Sequence, residues 1–225
     1  MNSVGFSVLT FLIPIGVLGL LIWAGVGFRS RSTEPFTLAT ATALYARVLL
    51  IAGVLTSLAG AGAILKAVIG YINLDYSYYG SQYYSGPYPQ PAGAPLVQAA
   101  TYLEQQRGQD LVLGITLLVV GIVVAVAHLY LARAVAGMAG GAPAWITRGT
   151  LLALTVMTAI GGIPSAAVGL YQMLTYFIVG TSQYQPQQPW GEPLGLAIAF
   201  VPAWIYFMTR LVQDLRRPHM GTPAP

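Results

Sequence analysis

Residues 47–71 read RVLLIAGVLTSLAGAGAILKAVIGY, and this stretch decides the fold. Between Arg47 and Tyr71 stands a single charge, Lys66, among apolar and small residues. As a helix, Val48 to Ile72 covers about 37 Å, enough to cross a hydrocarbon core about 30 Å thick. Four more runs of this kind lie outward from it: Val4 to Phe28 before, and Asp110 to Ala132, Thr150 to Val179 and Pro193 to Leu211 after. The whole chain is 56% hydrophobic and only 7% charged, against about 25% charged in an ordinary soluble domain. A water-soluble fold is excluded, and the pattern predicts an all-α polytopic membrane helix bundle with five transmembrane helices. Val4 to Phe28 has no Lys or Arg ahead of its apolar core and is too long for a cleaved signal, so it is expected to stay as a helix.

The charges orient this layout. Arg29, Arg31, Arg47, Arg133, Arg148, Arg210, Arg216 and Arg217 fall on one side of a five-span arrangement, Arg107 on the other, and Lys66 within a span. The positive-inside rule then sets the N-terminus outside and the tail, residues 213–225, in the cytoplasm. Arginines scattered at span ends form no basic stripe, so nucleic acid is not expected as a partner. The chain has no Cys, which excludes disulfides, thiolate metal sites and cysteine nucleophiles. Glu34, Asp75, Glu104, Asp110, Glu192 and Asp214 are spread through loops and span ends, with no carboxylate pair at mid-membrane. His128 is the one histidine in a span, since His219 lies in the tail, so bis-His haem within the chain is excluded. No catalytic residue, metal ligand or cofactor-binding residue is assigned on this reading. A lipid, quinone or carotenoid between helices remains compatible with it.

Overlaying Arg47 on Arg148 brings residues 47–71 and 148–172 into register, with Gly60 matching Gly161. Each segment leads outward through a Tyr-bearing end and returns through a span closing on Tyr130 to Arg133 or Tyr206 to Arg210. This suggests a parallel repeat of two helical hairpins, residues 29–136 and 148–212, plus one extra N-terminal helix, residues 1–28. Small residues recur every four positions at Gly53, Ser57 and Ala61 and again at Gly161, Ser165 and Gly169. Such stripes mark helix contacts in lipid, and their equivalent places predict that the second and fourth spans cross at the bundle centre. Pro164 removes one backbone donor and is expected to kink its span. The helix ends His128 to Arg133 and Pro202 to Arg210 resemble those of an uncharacterised family of small multi-helix bacterial membrane proteins. The resemblance covers roughly residues 45–215; it implies a bacterial plasma membrane and no particular chemistry.

The outer connections carry the unusual composition. Residues 73–109 contain Tyr76, Tyr78, Tyr79, Tyr83, Tyr84 and Tyr88 interleaved with prolines and glycines, and residues 180–192 repeat the flavour with Tyr184 and Trp190. Prolines and glycines preclude regular structure before about residue 96, and a short helix from Leu96 to Gln106 is expected to lead into the third span. Aromatic, nearly uncharged segments differ from ordinary disordered linkers and suit docking of a protein or glycan. Lys66 and His128 are the candidate functional polar residues within spans. Lys66 is expected to snorkel to the outer interface or to pair with Asp75, Glu104 or Asp110. The functional expectation is a non-catalytic accessory or scaffolding subunit of a larger bacterial membrane complex, its partners other membrane subunits and the lipid bilayer. The alternatives are a small transporter or channel, and a quinone- or pigment-binding membrane subunit.

Overall fold

The computed structural model describes residues 37–72, 96–137, 144–179 and 190–216. These form α1 (Leu38–Ile72), α2 (Leu96–Ala136), α3 (Ala144–Val179) and α4 (Gly191–Arg216). All four are long and apolar enough to cross a membrane, the arrangement of a multi-pass membrane protein, and no strand occurs among the described residues. They coincide with the second to fifth expected spans; the first, Val4 to Phe28, lies outside the described residues. Each helix overruns its expected span because hydropathy stops at the first charge, whereas backbone hydrogen bonding continues through the headgroup layer. The largest difference is in α2, whose 41 residues rise about 61 Å. The expected short helix at Leu96 and the third span are thus one uninterrupted helix, so the connection expected over residues 73–109 is helical from residue 96 on. Thr37 begins α1 as its N-cap: its Oγ1 accepts the Thr40 N–H at 3.2 Å, satisfying a donor that has no carbonyl partner in the first turn.

The helices α1 and α2 form an antiparallel hairpin held by backbone contact. Ala46, Gly53, Gly60 and Ala67 are all buried at seven-residue spacing on α1, and the buried Arg107, Gly114 and Gly121 repeat that spacing on α2, with Val135 buried two periods farther on. A methyl carbon added to Gly53 would lie 2.6 Å from Ala125 N and 2.8 Å from the Gly121 carbonyl oxygen. One added to Gly114 would lie 2.8 Å from Ile64 N, and one added to Gly121 2.5 Å from Ser57 N, while at Gly60 it would meet Leu118 N. No side chain fits at these points, so the two helix surfaces touch backbone to backbone. A seven-residue period keeps one stripe facing its partner when helices cross at about 20°. Ser57 Oγ, lying in this interface, donates to the Gly53 carbonyl at 2.8 Å and presents no unsatisfied hydroxyl to the partner helix.

In the α3–α4 hairpin the close approach is partly to side chains. A carbon added to Gly161 would lie 2.6 Å from the Phe200 ring, and one added to Gly169 would lie 3.0 Å from Leu194 N. The two hairpins do not pair in one register. With Arg47 laid on Arg148 and Arg133 on Arg210, the partner of Gly161 would be Gly195, whereas it meets Phe200. Nor do the two small-residue stripes face each other: Gly53 and Ser57 meet α2, and Gly161 and Gly169 meet α4. The predicted crossing of these stripes is thereby corrected. Each is consumed within its own hairpin, because the glycines admit a backbone or a ring more closely than a second small-residue face requires. What joins the hairpins is α1. Gly62 sits against Leu196 and Gly195 of α4, and Ile51 packs with Ala153 and Leu154 of α3. Pro164 and Pro202 lie within helices that continue past them, both on exposed faces. The carbonyls left without a donor are those of Ile160 and Ile198, four residues earlier, and these residues too stand on exposed faces of their helices.

Gly121→Val should separate α1 from α2 and lower unfolding stability by about 1–3 kcal/mol. Gly149→Ala, where nothing lies within 4 Å of the added carbon, should not lower the midpoint of detergent denaturation and should raise stability by up to about 1 kcal/mol, the helix preference of Ala over Gly.

Candidate functional site

The hairpin contact ends in charge at one extreme. Six positions before the end of α1, Lys66 reaches Asp110 of α2, Nζ to Oδ2, at 2.9 Å, with both side chains about one-fifth exposed (18% and 22%). Asp110 is one of the three partners the sequence offers. Its selection follows from the contact register. Gly60 meets Leu118 N and Gly114 meets Ile64 N, so residues 66–68 of α1 stand level with residues 110–112 of α2, and the flexible four-carbon stem of Lys66 spans the remaining offset. Cα–Cβ bonds tilt toward a helix's N-terminus, so the Lys66 stem starts toward the middle of the bundle. Snorkelling along α1 would take the ammonium away from the nearer helix end, and the carboxylate supplies the charge that water supplies elsewhere. Gly195 of α4 closes this layer: a carbon added there would lie 3.1 Å from Lys66 N, so α4 approaches the Lys66 backbone directly.

One turn farther along the buried stripe of α2, the Arg107 guanidinium lies over the Tyr71 ring, 5.4 Å from its centroid, and Arg107 is only 7% exposed. A guanidinium, weakly hydrated and flat, tolerates this position because the ring face supplies negative potential. Trp190, assigned by sequence to the docking set, is 5% exposed and packs with Ile69, Met173 and Leu194. This is a correction. The indole bridges α1, α3 and the start of α4, and a ring so enclosed presents no face to another molecule. Two layers of opposite character therefore stack at this end, an ion pair inside and a cation over an aromatic ring outside, with Trp190 filling the junction of the hairpins.

His128 continues the same seven-residue stripe toward the other end. Its Nδ1–H donates to the Val124 carbonyl at 2.7 Å, and its ring meets Tyr45 edge-on with centroids 5.7 Å apart. The intrahelical bond fixes the tautomer and leaves Nε2 as the basic nitrogen. Tyr45 and Tyr71, 26 positions apart on α1, are separated by about 39 Å, close to the spacing of the two headgroup layers. Each thus meets a cationic or basic partner from α2 at an interface depth. At the arginine-rich end Arg148 Nε donates to Asp214 Oδ2 at 3.1 Å, which ties α3 to α4.

The structure thus brings Lys66 and Asp110 together, sets His128 apart at the opposite end of the stripe, and buries Trp190. Tyr76, Tyr78, Tyr79, Tyr83, Tyr84, Tyr88 and Tyr184 lie outside the described residues. Ser165 is half-buried and Ala61 likewise. Sequence reading missed Gly114, Gly121 and Gly195, the positions that let backbones meet; the first two repeat the Gly53 to Gly60 interval of seven, a signal a search at intervals of four passes over. Comparison of the chain with family models, with curated proteins and with solved structures finds no match in any of the three.

Lys66→Met should cost about 2 kcal/mol by leaving the Asp110 carboxylate half-buried without its cation. Adding Asp110→Leu should recover all but about 0.5 kcal/mol; a double-mutant cycle in denaturant reads both. Trp190→Ala should cost about 3 kcal/mol, read as a lower midpoint, because the emptied volume lies between three helices.

Proposed function

We propose that the chain is a non-catalytic accessory or scaffolding subunit of a larger complex in a bacterial plasma membrane. On this reading it has five spans, with the N-terminus outside and the C-terminus cytoplasmic. It docks partners through its Tyr/Pro-rich outer segments and packs laterally against other subunits. The observation that carries the reading is the outward surface of α2. One narrow stripe of this helix meets α1, while Val112, Ile115, Val119, Ile122, Val123 and Val126 are exposed, Val112 at 66% and Val123 at 62%. β-Branched side chains are stiff, so such a ridge loses little rotamer freedom on meeting another helix. A second support is the economy of the interior, where the helices touch through backbone and the Lys66–Asp110 charges answer each other.

A small transporter or channel is the second reading, and the same ion pair favours it, since charges inside a bundle commonly mark solute or proton paths. The two part on flux. In proteoliposomes the accessory reading predicts no solute or proton flux above empty vesicles, and none altered by Lys66→Met; flux lost on that substitution would establish transport. For docking, replacement of Tyr76, Tyr78, Tyr79, Tyr83, Tyr84 and Tyr88 by Ser should strip a stoichiometric partner from the natively purified chain and leave its helical content intact. A chain that purifies alone, in both forms, would overturn the accessory reading.

A further inference from the structure

We propose that the half-buried guanidinium of Arg47 binds the phosphate of an anionic phospholipid in the leaflet at the arginine-rich end of the bundle. The other described cations are accounted for. Lys66 and Arg148 have carboxylates, Arg107 and Arg210 lie over the rings of Tyr71 and Tyr206, and Arg133 and Arg216 are exposed near helix ends. Arg47 alone of the described cations is half-buried with no ion pair, hydrogen bond or ring contact among the described residues. Its neighbours along α1, Ala43, Ala46, Leu50 and Ile51, are buried and apolar.

A guanidinium in such a setting is costly without an anion. Of the described carboxylates, Glu104, Asp110 and Glu192 stand at the opposite end of the bundle and Asp214 is held by Arg148. The remaining two, Glu34 and Asp75, lie outside the described residues. Geometry indicates the lipid. Arg47 lies nine positions after Leu38, about 14 Å inside the helix, and the Cβ tilt carries its side chain back toward the helix start. A guanidinium reaching from that depth toward the interface arrives at the phosphate layer, where its planar donors suit two oxygens of one phosphate. The charge at this end selects a lipid with net negative charge over a zwitterionic one. Arg47, Arg133, Arg148, Arg210 and Arg216 face one described acid, Asp214, and each basic residue near such a surface favours anionic headgroups.

Native mass spectrometry of the full chain in mild detergent, with equal phosphatidylglycerol and phosphatidylcholine, reads the site. Phosphatidylglycerol should be retained in preference, and Arg47→Gln should weaken its retention about tenfold, the weight of one bidentate pair. Arg216→Gln should change it less than about twofold, an exposed charge being screened. Arg47→Lys keeps the charge and loses the fork, so a variant that folds like the wild type should still bind measurably more weakly. Millimolar inorganic phosphate should not displace the lipid. Undiminished retention in Arg47→Gln or Arg47→Lys overturns the proposal, as it would if Glu34 were the counterion. An equal loss from Arg216→Gln, which signals diffuse charge, or displacement by inorganic phosphate, which signals a free-anion site, also overturns it.

Discussion

Two helix backbones in contact along a seven-residue ladder of glycine and alanine are the constraint from which the rest of this bundle follows. In lipid no hydrophobic force draws helices together, so association rests on packing and on weak Cα–H···O contacts. Both fall off steeply with distance, and only residues without bulk let helix axes come this close. Gly53, Gly60, Gly114 and Gly121 provide that proximity, and Ala46 and Ala67 continue the stripe beyond them with 0% exposure. The ladder leaves α1 at the centre, since its other faces remain free to receive Leu196 and Gly195 of α4 and Ala153 and Leu154 of α3.

The ladder also explains where polar groups stand. Its stripe on α2 begins with Arg107 and includes His128, so polar side chains occupy the places where the contact nears the headgroup layers and glycine occupies the dry middle. Antiparallel helices in one fixed register carry Lys66 to Asp110 and Tyr71 to Arg107 without further adjustment. A slip of α2 by a single turn would strand both charges. The ion pair therefore works as a register pin whose contribution lies in specificity rather than net stability, in keeping with the modest worth of ion pairs set against their desolvation. The threonines of α3 obey the same economy: Thr150, Thr155 and Thr158 are buried and each donates to the carbonyl four residues back, so hydroxyls inside the bundle ask nothing of their neighbours.

The helical class and the four described spans were legible because twenty-odd apolar residues bounded by arginine have few other physical solutions. Lys66 was legible as a residue needing a partner, and Asp110 as one of its options, because an intramembrane charge narrows the possibilities. The facing of the small-residue stripes was not. A four-residue spacing and a seven-residue spacing both pass through Gly53, and only the partner backbone distinguishes a helix that meets its hairpin neighbour from one that meets the other hairpin. Trp190 misled for a related reason. An aromatic residue beside prolines suits an exposed loop, but this one stands at the threshold of α4, where the chain turns into the junction of α1 and α3 and the ring becomes filling. Boundaries were short because hydropathy measures the hydrocarbon crossing and not the helix that carries it.

The central claim is that Gly53 and Ser57 face α2 and not α3. The chain contains no cysteine, so disulfide trapping in native membranes reads it against a clean background. Ser57→Cys should cross-link rapidly with Leu118→Cys, a smaller side chain than the one already present in this contact, and not with Ser165→Cys. Rapid trapping with Ser165→Cys, and none with Leu118→Cys, would place α1 against α3 along this stripe and contradict the account.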